Sequence, residues 1–138
     1  DRGMPTHGFR LVERMTPETQ TVVRPSPDRA YSICLFDFGS RDGKALGVYA
    51  APWSDYSSVS FFDAQTNNFA TLRGNGDGIS AVLLPPDAIP QPDALFSPSD
   101  KGIILIRRLA PTKGAYREVA GIAVKDRCSI LRFAGESE

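Results

Sequence analysis

Histidine is almost absent from this sequence: His7 is the single one in 138 residues. A serine or cysteine nucleophile usually needs a histidine base within hydrogen-bonding distance. His7 lies in a Thr-His-Gly segment of an irregular N-terminal stretch, where we expect an exposed ring. The sequence therefore offers no catalytic triad, and no catalytic residue is assigned.

A net charge of either sign is also missing, because 16 Lys and Arg residues balance 16 Asp and Glu residues. Proteins that bind nucleic acid or anionic lipid surfaces usually carry a basic excess. The local basic run is limited to the pair Arg107 and Arg108. Nucleic acid is therefore not expected as a partner.

Long apolar runs are absent, since no window approaches the ~20 residues that a helix needs to cross a bilayer. The sequence begins with Asp1 rather than Met. We therefore expect an upstream segment in the full reading frame, either a cleaved signal or a membrane anchor. The expected anchor is a short basic segment followed by ~20 apolar residues.

Cysteine is scarce as well, with only Cys34 and Cys128. Neither belongs to a Cys-x-x-Cys motif or has a histidine at a metal-ligand spacing, which excludes a zinc site. Two buried thiols and one disulfide both fit the sequence. A disulfide would require an oxidising compartment and two Cα atoms within roughly 7 Å. No metal and no other cofactor is expected.

Short β-prone segments alternate with turn residues from Tyr31 onward. Gly, Asn, Asp and Pro separate these segments about every 8–12 residues, a spacing typical of an antiparallel all-β domain. In the first segment both alternate faces are largely apolar, which suits the wall of a sandwich or barrel. The predicted strands are YSICLFD (31–37), ALGVYA (45–50), SSVSFFD (57–63), NFATL (68–72), ISAVLLP (79–85) and GIILIRR (102–108).

Residues 1–30 form a predicted irregular lead-in that is partly tied to the sheet, with FRLVERM (9–15) and TQTVV (19–23) as short extended pieces. Residues 31–138 form the predicted single domain. Near its end, residues 112–126 place Ala115, Val119 and Ile122 on one apolar stripe, which predicts a helix. The closing CSILRF (128–133) is apolar and β-prone, and predicts an edge strand.

The stretch FFDAQTNNFATLRGNGDG (61–78) carries two turn signals. Asn75 and Gly76 favour a type I′ turn, because both central residues of such a turn need φ > 0. This predicts a hairpin between NFATL and ISAVLLP. Residues 63–68 predict a tight connection between SSVSFFD and NFATL. A calcium loop is excluded because its bidentate glutamate is missing.

Asp63, Asn67, Asn68 and Arg73 are the candidate ligand-binding residues of this stretch. Turn chemistry also accounts for the Asp and Asn residues, and an arginine is more often an ion-pair partner than an anion clamp. Two functions stay open. One is a non-enzymatic binding or assembly module, and the other is a small hydrolase- or lyase-like enzyme with Asp63 and Arg73 in a cleft between sheets.

Three segments together resemble the bacterial family catalogued as domain of unknown function 1254. Its most specific motif here is DAQTNNF, residues 63–69, and the resemblance spans about residues 24–124. The segments are RPSPDRAYSICLFDF (24–38), APWSDYSSVSFFDAQTNNFATLRGNGDG (51–78) and GIILIRRLAPTKGAYREVAGI (102–122).

This resemblance implies a β-sandwich or jelly-roll-like fold on the periplasmic side of the bacterial inner membrane. The chain is similar to the short members, which are single-domain envelope proteins with an N-terminal membrane helix. The family brings no established activity, and therefore no catalytic residues. Longer members continue into a second β domain. We accordingly expect a homo-oligomer or a complex with a second envelope β-domain protein, formed through the C-terminal helix and CSILRF.

Overall fold

The computed structural model describes residues 8–12, 29–39, 44–89 and 91–132. Within these ranges the chain forms nine strands and one helix, α1. Among them, no helix has the length and apolarity needed to cross a membrane. The elements are β1 (Arg10–Leu11), β2 (Arg29–Asp37), β3 (Lys44–Ala50), β4 (Ser57–Phe62), β5 (Asn68–Arg73), β6 (Ile79–Leu84), β7 (Leu95–Phe96), β8 (Lys101–Leu109), α1 (Lys113–Ala123) and β9 (Arg127–Arg132).

The strands form two sheets that pack as a sandwich. One sheet has five strands in the order β1-β2-β8-β4-β5, and the other has four in the order β7-β6-β3-β9. Neighbouring strands are antiparallel except β6 and β7, which run parallel. The predicted all-β sandwich with one C-terminal helix is therefore confirmed. β7 was not predicted, because it lies in the Pro-rich connection between β6 and β8.

The main core lies between the sheets and is built from alternate residues of six strands. On β2, for example, Cys34 and Phe36 point inward, whereas Tyr31 and Ile33 belong to a second apolar cluster on the outer face of the five-stranded sheet. Alternation of this kind follows from the period of two in a β-strand. The inward-facing residues are Cys34, Phe36, Leu46, Val48, Ala50, Val59, Phe61, Ile79, Leu83, Ile104, Ile106 and Cys128.

A disulfide joins the two sheets through this core. Cys34 of β2 is bonded to Cys128 of β9, with their Cα atoms 6.6 Å apart. The sequence left two states of the cysteines open, and the structure contains the disulfide. It links residues that are 94 positions apart in the chain.

A buried ion pair makes a second link between distant segments. Arg108 of β8 donates from Nη1 and Nη2 to the two carboxylate oxygens of Asp126, at 3.0 and 2.7 Å. Asp126 lies between α1 and β9, and both side chains are at most 1% exposed. The backbone of Ala51 completes the arrangement, because its N–H donates to Asp126 and its carbonyl accepts from Arg108. The pair therefore links β8 to the connection between β3 and β4, which contains Ala51, and to the connection between α1 and β9, which contains Asp126.

The predicted hairpin between NFATL and ISAVLLP is wrong. β5 is the edge strand of the five-stranded sheet, whereas β6 lies in the other sheet between β3 and β7. The local turn chemistry is present all the same: Gly76 has φ of 99°, and the Asn75 side chain accepts from the Asp77 N–H at 3.3 Å. A turn is therefore present at Gly76, but Asn75 lacks the positive φ that the predicted type I′ turn requires. The segment is a crossover because β6 pairs with β3 in the four-stranded sheet.

The helix and the last strand follow the predictions closely. Thr112 caps α1, since its hydroxyl accepts from the Ala115 N–H at 3.0 Å. Val119 is buried against Trp53 and Ala110. β9 pairs with β3 alone among the described elements and is an edge strand, as CSILRF predicted.

The predicted lead-in contributes to the five-stranded sheet. β1 pairs with β2, and β2 begins at Arg29, two residues before the predicted start of the domain. TQTVV and His7 lie outside the described residues.

Candidate functional site

The connection between β4 and β5 is the tight turn that residues 63–68 predicted. The Asp63 N–H donates to the Asn67 carbonyl and the Thr66 N–H donates to the Asp63 carbonyl, both at 2.9 Å. Thr66 has φ of 64°, in the left-handed region. One side-chain oxygen of Asp63, Oδ1, accepts from the N–H groups of Gln65 and Asn67 at 2.9 Å each. Asp63 therefore organises the turn through its own carboxylate.

These hydrogen bonds favour the ionised form of Asp63. The hydrogen bond from the Asn67 N–H lowers the pKa of Asp63, and those from the Gln65 N–H and the Asn67 side chain act in the same direction. Partial desolvation opposes them but does not reverse the shift. The carboxylate is ionised at neutral pH, so Asp63 is suited to accept hydrogen bonds or face a cation. A general acid would need the opposite shift.

Asn68 is the first residue of β5, and its side-chain amide makes three hydrogen bonds. Its Nδ2 donates to the carbonyls of Phe61 and Ala70, at 3.0 and 2.9 Å. Its Oδ1 accepts from the Thr71 hydroxyl at 3.3 Å. A register shift between Phe61 and Phe62 lies at the same place. Asn68 therefore satisfies backbone groups at a β-bulge, while Asn67 lies in the turn beside Asp63.

Arg73 lies at the other end of the hairpin. Phe62 pairs with Asn68, whereas Ser58 pairs with Arg73. Those two positions on β4 are four residues apart, which corresponds to about 13 Å along a strand. Asp63 and Arg73 therefore lie toward opposite ends of the hairpin, and the structure does not bring these two predicted site residues together. An antiparallel hairpin necessarily separates residues of its turn from residues of its open end.

A groove of about 340 Å³ does lie beside the Asp63 turn. Its floor is apolar and its rim is charged. Lys101 and Asp37 on the rim are 4.0 Å apart and substantially exposed. The remaining lining residues are Leu35, Phe36, Asp63, Ala64, Thr66, Gly102 and Ile103. The groove thus forms where the turn meets the ends of β2 and β8.

Sequence reasoning missed Asp37 and Lys101 as neighbours of Asp63. They pair across β2 and β8, and β8 in turn pairs with β4. Asp37 precedes Asp63 by more than twenty residues and Lys101 follows it by more than thirty. No local motif marks such a grouping, and only the strand register brings it about.

The described part of the chain contains no candidate metal site. There, no group of three His, Cys, Asp or Glu side chains is placed to hold an ion. The polar groups of the turn instead bond to backbone and to one another.

Comparisons with known proteins identify a family without an assigned activity. The model of the family described as "Protein of unknown function (DUF1254)" matches residues 8–129. No curated protein sequence matches the chain. An uncharacterised protein from Burkholderia cenocepacia has a similar structure, with a TM-score of 0.58 and 12% identity over 93% of this chain and 36% of its own.

The VPA0106 protein from Vibrio parahaemolyticus is similar too, with a TM-score of 0.62 and 10% identity over 95% of this chain and 31% of its own. At such low identity these likenesses concern the fold alone. The chain spans about one third of the length of either solved protein.

Proposed function

The chain belongs to the DUF1254 family, and we propose that it is the extracytoplasmic binding or assembly module of a membrane-anchored bacterial envelope protein. The inter-sheet disulfide supports the location, because disulfides form and persist in oxidising compartments such as the periplasm. Free thiols at Cys34 and Cys128 in the natively produced protein, measured by intact mass after alkylation, would contradict a periplasmic location.

The assembly role rests on one observation, the open edge of β9. Among the described residues, β9 pairs with β3 on one side and with no strand on the other. An unpaired edge exposes backbone N–H and carbonyl groups that can pair with another strand. Leu131 of β9 is 41% exposed, and its side chain lies over Gly47 of β3. The edge therefore combines unpaired backbone groups with apolar surface.

We propose a second β domain as the partner of this edge. The two similar solved proteins are about three times as long as this chain. The additional length of those proteins is enough for such a domain. In the present case the domain would belong either to the same polypeptide or to a neighbouring envelope protein. A second copy of this chain offers the same type of edge and would produce a homo-oligomer.

Substitution of Leu131 tests this interface. In the isolated chain we expect concentration-dependent association through β9, and Leu131→Lys should shift it to monomer. The lysine keeps an aliphatic stem over Gly47 but places a charge at the edge, a device that natural edge strands use against pairing. Light scattering over a range of concentrations measures the change.

Ile89→Lys is the matched control. Ile89 is 78% exposed in the connection between β6 and β7, far from the β9 edge in the strand order. It should leave the association of the chain unchanged. Equal association of the wild type and Leu131→Lys would count against β9 as the interface.

Ligand binding in the groove beside Asp63 is a second candidate function. The groove has an apolar floor from Leu35 and Ile103, and an ionised carboxylate at its rim. Ligand sites typically combine apolar lining with a few polar groups in this manner. Since Asp37 is paired with Lys101, the unbalanced charge is that of Asp63. The favoured ligand is a small apolar molecule with a cationic group.

Filling the groove tests this candidate. We expect small aliphatic amines to shift the amide NMR signals of residues 63–67 and 101–103 in the wild type. Ala64→Trp should abolish the shifts, because Ala64 is exposed and lines the groove. Gln91→Trp, at an exposed position between β6 and β7, should retain them. Shifts that persist in Ala64→Trp would place the amines elsewhere.

A further inference from the structure

A row of polar side chains crosses the outer face of the five-stranded sheet, away from the groove. Tyr31 of β2 pairs with Arg107 of β8, Arg107 pairs with Ser58 of β4, and Ser58 pairs with Arg73 of β5. Directly paired residues of antiparallel strands project to the same side of a sheet. Ser58 therefore lies between two arginines, with about 9.5 Å between the outer two strands of the three.

The Ser58 hydroxyl lacks a hydrogen-bond partner in the described part of the chain. Ser58 is 1% exposed, and its Oγ is buried and unbonded. Both flanking side chains are guanidinium groups, which donate hydrogen bonds and accept none. The hydroxyl proton consequently faces neighbours that cannot accept it. Buried polar groups are almost always bonded, so an unbonded one requires an explanation.

In the next row of the sheet, a chain of hydrogen bonds begins at Arg107 and includes Ser60, Thr71 and Asn68 but not Ser58. Arg107 donates from Nη1 to the Ser60 hydroxyl at 3.2 Å. Ser60 and Thr71 are 3.1 Å apart, and Thr71 donates to Asn68. Since the Thr71 proton is used on Asn68, Thr71 accepts from Ser60 and Ser60 accepts from Arg107. The hydrogen bond to Ser60 occupies one of the five N–H groups of Arg107.

Arg73 has no hydrogen bond and no ion pair among the described residues, and its side chain is exposed. No carboxylate of the described residues lies in either of the two rows. The row is accessible at its β5 end, where both Arg73 and Thr71 are exposed. Two cations, of which Arg73 is exposed, thus flank one unused hydroxyl donor in a row of the sheet that contains no carboxylate among its described residues.

We infer that Arg107, Ser58 and Arg73 form a binding site for a compact oxyanion, a phosphate or a carboxylate group. Such a group accepts from two guanidinium groups and one hydroxyl at once, and charge-assisted hydrogen bonds of this type are the strong ones. This site is independent of both the β9 edge and the groove beside Asp63. It assigns to Arg73 a role in anion binding without Asp63.

Calorimetric titration with inorganic phosphate and, separately, with acetate tests the inference at constant ionic strength. Saturable binding of phosphate alone identifies a phosphate-bearing ligand, and binding of acetate alone identifies a carboxylate. Arg73→Gln should weaken binding by about 10-fold or more, the loss expected for a hydrogen bond to a charged group. Arg73→Lys should retain part of the affinity as a point charge. Arg127→Gln, which changes an exposed arginine of β9, is the matched control and should bind as the wild type does.

Ser58→Ala provides a readout that a structural role would not give. It should weaken anion binding by roughly 3- to 10-fold. In the absence of anion its Tm should equal or exceed that of the wild type, because the hydroxyl has no internal bond to lose. A lower Tm would reveal an internal partner and overturn the inference. Equal affinities of the wild type and Arg73→Gln, or no saturable binding of either anion, would also overturn it.

Discussion

Replacing Asp126 with Asn should lower the free energy of unfolding by about 3–5 kcal/mol, the cost of leaving one member of a buried ion pair without its partner. Arg108 and Asp126 are almost completely removed from solvent, so water cannot take over the lost interaction. Asparagine has nearly the shape of aspartate, and the change therefore removes charge rather than volume. Urea unfolding, followed by circular dichroism, measures the difference in stability.

The double variant Arg108→Met with Asp126→Leu should be less damaging than the sum of its single changes. No unpaired charge is left, and buried ion pairs can often be replaced by apolar residues at little cost. It should not fully recover wild-type stability, because the N–H and carbonyl of Ala51 both lose their partners. Each orphaned group costs about 1–3 kcal/mol.

An exposed ion pair serves as the control for both variants. Lys101 and Asp37 are 4.0 Å apart, and their side chains are 71% and 41% exposed. Lys101→Met should change stability by at most about 1 kcal/mol, as is usual for surface pairs. A loss of similar size for Asp126→Asn would mean that Arg108 reaches solvent or another anion.

Most strands were predictable because their signals are local. Alternation of apolar residues between turn residues located β2 to β6 and β8, and the apolar stripe located α1. The pairing of the strands was harder to predict from the sequence. Asn75 and Gly76 specify a turn, but they do not specify that β5 and β6 lie in different sheets. That choice depends on which strand pairs with β6, and this partner, β3, lies some thirty residues upstream.

The candidate site shows the same division. The local part of the prediction, a turn organised by Asp63 and its neighbours, is present. The grouping with Arg73 failed because four residues along a strand separate it from the turn. Neighbours that come from other strands, such as Lys101 beside Asp63 and Ser58 beside Arg107, carry no local motif. They became recognisable only when the strand register was known.

Removal of the disulfide is expected to have the second large effect on stability. Cys34→Ala with Cys128→Ala should lower the free energy of unfolding by about 2–5 kcal/mol, the usual loss for a native disulfide. The bond connects positions 94 residues apart, so it restricts a long loop of the unfolded chain. Alanine is preferred to serine because both positions are buried, at 0 and 3% exposure, and a hydroxyl would lack a partner there. Equilibrium urea unfolding gives the difference.

Reduction of the wild-type protein separates the cross-link from the packing of the two sulfur atoms. If the cross-link is the main contribution, the reduced wild type should unfold at nearly the same urea concentration as the double variant. A small remaining difference is expected, because alanine leaves a cavity where each sulfur packed between the sheets. Oxidised wild type and double variant of equal stability would contradict this prediction. In that case the core between β2 and β9, rather than the covalent link, would hold the two sheets together.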